Sequence, residues 1–134
     1  MKKNNSIIIG TGVIGSYLAK FLLSKKQKVI VTSRKRRKSY ANYNKLNIEN
    51  KIIFEELDVL KKNEILKLIK KYNPKNIFYF SGQSSLTKSL KQKKTTNDSN
   101  YIGAKKFLEI LHKFKFKTNF YKANSAYIFE PNKG

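Results

Sequence analysis

The fold this sequence predicts is a doubly wound α/β domain on a parallel sheet, with strands in the order 3-2-1-4-5. Two observations predict it. Short β-rich apolar runs alternate with segments of helical period along the chain. A glycine-spaced turn, Gly10-Thr11-Gly12-Val13-Ile14-Gly15, lies between the first such run and the first such helix. Parallel strands need a long crossover connection, and a helix is its usual form.

Residues 6–9 read as a buried strand, and residues 16–24 as a helix with Leu18, Ala19 and Leu22 on one face. Residues 28–32 are the second strand, carrying Val29, Ile30 and Val31. The basic segment 34–50 contains a helix of poor period. Residues 51–56 form the third strand. Residues 63–72 are an amphipathic helix bearing Ile65, Leu66, Leu68 and Ile69, which Pro74 stops. Residues 76–81 are the fourth strand, followed by a polar loop rich in Ser, Thr and Lys. Residues 100–114 make a helix through Ile102, Phe107, Leu108 and Leu111, and residues 119–123 the fifth strand.

At 134 residues the chain holds one domain, residues 1–134. It is expected to stop before the sixth strand and the substrate lobe that complete an enzyme of this architecture. Apolar surface on the fifth strand and neighbouring helices is then exposed, which favours a partner or a homo-oligomer.

With no cysteine there is neither a disulfide framework nor a thiolate metal site, and the single histidine, His112, excludes a His-rich metal cluster. No stretch approaches a membrane span or a signal peptide, so a soluble, cytoplasmic protein is the default expectation. The charge is extreme: 30 Lys and Arg against 8 Asp and Glu, a formal +22. Such a field attracts polyanions. The lysines are spread over every predicted element, however, so nucleic-acid binding is expected only as non-specific electrostatics. Arg34-Lys35-Arg36-Arg37-Lys38 is the one tight basic run.

The glycine turn makes the fold Rossmann-type and points to a dinucleotide. Gly10 allows the tight turn, Gly12 lets backbone approach a pyrophosphate, and Gly15 permits close packing of helix on strand. The amides that open the helix, through Val13 and Ile14, face the phosphates. An acidic residue after the second strand would bind the 2′-hydroxyl of NAD; this sequence has Ser33-Arg34-Lys35-Arg36 instead. Cations there suit a 2′-phosphate, so NADP is favoured, with NAD as the alternative. Arg34 is the best single candidate, because a guanidinium grips phosphate through two parallel hydrogen bonds. Asp58, after the third strand, is either an adenine contact or the N-cap of the next helix. Val59 beside it and Phe80 at the end of the fourth strand complete the cofactor-facing positions.

Three stretches, with Asn100-Tyr101-Ile102-Gly103, resemble an extended short-chain dehydrogenase/reductase of the nucleotide-sugar dehydratase and epimerase branch, and within it the GDP-mannose 4,6-dehydratase family. They are Gly12-Val13-Ile14-Gly15-Ser16-Tyr17-Leu18-Ala19-Lys20-Phe21-Leu22-Leu23, Ser81-Gly82-Gln83-Ser84-Ser85-Leu86 and Phe120-Tyr121-Lys122-Ala123-Asn124-Ser125. The resemblance implies a nucleotide-sugar substrate of the GDP-mannose class and a lyase reaction by way of redox steps. Hydride leaves C4 for NADP⁺, water is lost across C5 and C6, and hydride returns to C6.

By the same resemblance, Ser125 is the active-site hydroxyl that hydrogen-bonds the C4 oxygen. Ser81, Gly82 and Gln83 lie against the cofactor, and Ser84, Ser85 and Ser89 face the substrate. The chain also departs from the family. Tyr127 stands where the family has the Glu that removes the C5 proton, and a phenol of pKa near 10 is a poor base at neutral pH. Glu130 replaces a glycine. The family's first glycine is Ile9 here, with Gly10 filling the turn one residue later. No Tyr-x-x-x-Lys follows Ser125. Tyr101-Ile102-Gly103-Ala104-Lys105 has the spacing but sits in the helix before the fifth strand, so it reads as coincidence. The expectation is a cofactor-binding fragment inactive alone. An epimerase fragment and a non-catalytic cofactor- or polyanion-binding module are the alternatives.

Overall fold

The computed structural model describes residues 4–35, 40–80 and 101–123. In chain order these form β1 (Asn5–Ile9), α1 (Val13–Ser24), β2 (Lys28–Ser33), α2 (Ala41–Lys45), a 3-10 turn (Glu49–Lys51), β3 (Ile53–Glu56), α3 (Lys62–Tyr72), β4 (Asn76–Tyr79), α4 (Gly103–Lys113) and β5 (Asn119–Lys122). The strands pair in parallel in the order β3-β2-β1-β4-β5, as the sequence predicts. Within β1, Ile8 is in register with Val31 of β2 on one side and Phe78 of β4 on the other.

Both faces of the sheet are covered, which explains why β1 and β2 are continuous apolar runs rather than alternating ones. Ile7, Ile9, Ile30, Ile77 and Tyr79 point to the side of α3 and α4, where they meet Ile65, Ile69 and Phe107. Ile8, Val29 and Val31 point the other way, to Ala19 and Leu22 of α1 and Tyr43 of α2. A second face of aromatic rings follows from β3: Phe54 stacks on Tyr40, centroids 3.6 Å apart, and meets Tyr43 edge-on at 5.5 Å.

Element ends differ from the predicted ones for local reasons. α1 begins at Val13 rather than at residue 16, because Gly12, extended at φ −72° and ψ 177°, serves as N-cap and its carbonyl accepts the Ser16 amide at 3.2 Å. β3 begins at Ile53 because residues 49–51 are used by the 3-10 turn. α3 ends on Asn73, left-handed at φ 42°, whose amide returns to the Ile69 carbonyl at 2.7 Å; Pro74 follows that cap. In α4 the buried face is Phe107, Ile110 and Leu111, whereas Leu108 is 51% exposed. The helical rotation of roughly 100° per residue swings it off that face.

α1 and α4 close alike. Lys26 (φ 59°) and Lys115 (φ 53°) take the left-handed position that glycine usually holds. The following amides, Gln27 and Phe116, reach back to the carbonyls of Leu22 and Leu111, each at 3.1 Å. Tyr121 on β5 is half exposed, and Val13, Ile14, Tyr17 and Phe21 form an exposed apolar flank on α1.

Candidate cofactor site

The carboxyl ends of β1, β2 and β3 lie side by side and carry most of the described candidates. Ile9 pairs with Thr32, Ser33 pairs with Glu56, and the Leu57 amide donates to the Ser33 carbonyl at 2.8 Å. The turn at Gly10, Arg34 and Asp58 therefore line one edge of the sheet, where open α/β sheets bind their ligands.

Gly10 has φ 118°, a conformation that L side chains rarely adopt. It reverses the chain from β1 toward α1, and its amide donates to the Thr32 carbonyl at 3.2 Å. At Gly12 an added Cβ would have no atom within 4 Å, so the space above this backbone is open. No side chain caps α1, and its first turn carries no acidic residue. The Ser16 hydroxyl is turned back onto the Val13 carbonyl at 2.6 Å. The amides of Val13, Ile14 and Gly15 precede the first residue that can bond within the helix, so they remain as donors facing the open space.

Gly15 is buried, and its missing side chain serves packing. A Cβ there would lie 3.2 Å from Ile8 Cγ2, 3.4 Å from the Tyr43 hydroxyl and 3.6 Å from Phe80. A short helix that the sequence only vaguely indicated supports the turn from below. Asn42 of α2 donates its side-chain amide to the Thr11 carbonyl at 3.1 Å. Tyr43 is fully buried beside Gly15, and its hydroxyl has no hydrogen-bond partner among the described residues. Burial pushes its phenol far above the usual range. Sequence reasoning missed Asn42 and Tyr43, because α2 has too few residues to show a period.

Arg34 is exposed and has no carboxylate partner among the described residues. Ser33 holds the start of this loop, donating to the Lys35 carbonyl at 2.9 Å and lying 3.1 Å from the Tyr40 hydroxyl. Asp58 is half-buried and shapes a turn: its Oδ1 accepts the Leu60 amide at 3.0 Å, while its own amide donates to Glu64 at 2.9 Å. The N-cap of α3 is Lys61, so Asp58 is not that cap. Val59 is buried against Gly103, where a Cβ would come within 2.7 Å of Val59 Cγ2, and Phe80 packs beneath Gly15. Ser81, Gly82, Gln83, Ser84, Ser85, Ser89, Ser125 and Tyr127 lie outside the described residues. Tyr101 is 58% exposed, and the Lys105 ammonium is 3.9 Å from Glu109 on its own helix.

These residues fit a dinucleotide: an open backbone surface at Gly12, amides at a helix start with no helical partner, and a guanidinium at the next strand end with no carboxylate partner among the described residues. Among the described residues no group of three His, Cys, Asp or Glu side chains could hold a metal ion, and no helix is long and apolar enough to cross a membrane.

The family model described as GDP-mannose 4,6 dehydratase matches residues 7–130. The chain is 31% identical over 111 residues to a CDP-paratose 2-epimerase of Salmonella typhi, covering 82% of this chain and 33% of that protein. It is 29% identical to a GDP-mannose 4,6-dehydratase of Yersinia enterocolitica, covering 96% of this chain and 37% of that one. The chain thus spans about a third of the length of these curated relatives. Among solved structures, a UDP-glucose 4-epimerase from Brucella ovis in complex with NAD superposes with a TM-score of 0.78 at 20% identity, over 96% of this chain and 38% of that chain. The fold is that of these epimerases, and with the family match over nearly its whole length the chain belongs to the GDP-mannose 4,6 dehydratase family.

Proposed function

We propose that this chain is the NADP-binding part of a nucleotide-sugar 4,6-dehydratase of the GDP-mannose class, and that it does not complete the reaction alone. The observation that carries this reading is the open space at Gly12 in front of the start of α1, which no side chain caps, with Arg34 at the neighbouring strand end free of a carboxylate partner among the described residues. The amides of Val13, Ile14 and Gly15 bind the pyrophosphate, and Arg34 grips a 2′-phosphate. Asp58 contacts the adenine. A bound nicotinamide supplies reversible oxidation at a sugar carbon. Gln83 and its neighbours position it, and Ser125 holds the oxygen at that carbon through a hydrogen bond. Tyr127 occupies the place of a carboxylate base and lacks its basicity at neutral pH.

A second reading, an NAD-dependent nucleotide-sugar epimerase part, draws on the CDP-paratose 2-epimerase relative and on the NAD bound to the Brucella ovis epimerase. Titration calorimetry with NADP⁺ and NAD⁺ on the wild type and on Arg34→Ala separates the two. Loss of charge-assisted hydrogen bonds, about 1.5–3 kcal/mol, weakens NADP⁺ by roughly 10- to 100-fold and leaves NAD⁺ nearly unchanged. Equal effects on both cofactors, or tighter NAD⁺ binding by the wild type, favour the second reading. No heat with either cofactor at millimolar concentration defeats both. Conversion of GDP-mannose to a 4-keto-6-deoxy sugar by this chain alone overturns the inactivity.

A further inference from the structure

Lysines that are scattered along the sequence are gathered by the topology. In a parallel sheet every helix end and every following strand start arrive at the same pole, here the one opposite the glycine turn. Around the ends of α3 and α4 and the starts of β4 and β5 lie Lys70, Lys71, Lys75, Lys113, Lys115 and Lys117, all exposed. Two hydrogen bonds tie the loops into one surface: Thr118 Oγ1 to the Pro74 carbonyl and the Asn119 amide to the Lys75 carbonyl, both 2.9 Å. Of the six, only Lys71 has a carboxylate partner among the described residues, Glu55 at 2.8 Å. The negative ends of α3 and α4 point here too, but together they offset only about one unit charge. The glycine-turn pole is basic too, with Arg34 and Lys35 after β2, but there Lys61 pairs with Glu64, and Glu56 and Asp58 stand at the end of β3.

An aromatic ring sits within this surface. Phe114 is 42% exposed, and the ammonium groups of Lys70 and Lys113 are each 5.6 Å from its centroid. Phe116, packed against the core, is its aromatic neighbour, with ring centroids 6.2 Å apart. Exposed rings among cations bind single strands without sequence preference, stacking a base and pairing backbone phosphates. Here the ammonium groups of Lys70 and Lys113 lie over the ring, and a base stacks on it as these flexible, exposed side chains turn to the phosphates. A membrane surface calls for a broad apolar helix face beside the charges, and this pole offers one ring.

We propose that this pole binds single-stranded nucleic acid, with a base stacked on Phe114 and phosphates held by the surrounding lysines. The test is fluorescence anisotropy with a labelled oligouridine over a range of KCl concentrations. It compares the wild type, the triple variant Lys70→Ala/Lys75→Ala/Lys113→Ala, the charge-matched control Lys20→Ala/Lys61→Ala/Lys105→Ala, and Phe114→Leu. Melting curves check that each is folded.

Each lysine–phosphate contact adds about 0.7 to the salt slope for a single strand, so the first triple lowers the slope by about 2 and weakens binding at least tenfold. The control weakens it far less. Phe114→Leu costs about fivefold or more in affinity at an unchanged slope. Equal loss in both triples overturns the proposal in favour of diffuse charge. An unchanged Phe114→Leu removes the stacking site. Tight binding to phosphatidylserine vesicles without binding to the oligonucleotide overturns it in favour of a membrane.

Discussion

Replacing Gly12 with alanine separates the site from the fold. The backbone at Gly12, φ −72° and ψ 177°, suits any L residue, and the added methyl meets no atom within 4 Å. Alanine is a worse N-cap than glycine, but it also lowers the entropy of the unfolded chain by about 0.4–1 kcal/mol. The two effects offset to within roughly 0.5 kcal/mol, a shift of no more than about 2–3 °C in melting temperature for a chain of this size. The methyl occupies the space a phosphate needs to reach the helix amides. Crowding of that kind costs about 1–3 kcal/mol, or roughly 5- to 150-fold in affinity. Gly10→Ala makes the contrast: at φ 118° it is strained by about 1–3 kcal/mol whether or not ligand is present. Melting curves with and without NADP⁺, together with calorimetry, read both quantities. Wild-type affinity in Gly12→Ala would refute the placement of the phosphates, and a loss of stability above about 2 kcal/mol would refute the open space.

Tyr43→Phe removes a buried hydroxyl that has no partner among the described residues; relieving that desolvation leaves the protein as stable or more so, by up to about 1–3 kcal/mol, and a lower melting temperature counts against it. Lys26→Gly puts glycine at a φ of 59° and raises stability by about 1 kcal/mol in urea denaturation, with a loss speaking against the strain assigned there. Hydrogen bonds from Lys71 and then Tyr72 hold the Glu55 carboxyl below its ordinary value of 4.5. Its stabilisation is therefore fully present above that value and lost as pH falls through the lower folded value. The difference in melting temperature between wild type and Glu55→Gln narrows as pH is lowered from 6 to 3, and a difference that stays constant over that range contradicts this account.

The strand order and the glycine turn were legible because each rests on local pattern. Apolar runs at β1, β2 and β4 and the helical period of α3 say what they are without reference to distant residues. What supports the turn was not legible. Asn42 and Tyr43 acquire their roles only when α2 is brought under α1, and five residues carry no period of their own. The Lys26 and Lys115 caps were hidden for a similar reason, since the residue expected there is glycine or asparagine and the returning amide bonds decide the geometry. Of the proposed site, the glycine turn, Arg34 and Asp58 lie among the described residues, and the proposed roles of Gln83 and Ser125 fall on residues outside them.

The central position of β1 also sets an order of events during folding. Its partner β2 follows within one short helix, so β1, α1 and β2 can associate once about the first quarter of the chain is available. Its other partner, β4, begins at Asn76, and the pairs from Ser6 with Asn76 to Ile9 with Tyr79 close a loop enclosing two further helices. Such long-range parallel pairing is slow because the entropy of loop closure is spent before the contacts form. A nascent chain therefore waits with one edge of β1 unpaired until β4 emerges. Substitutions in Ile77 or Phe78 should accordingly lengthen the life of that half-sheet more than substitutions in β2.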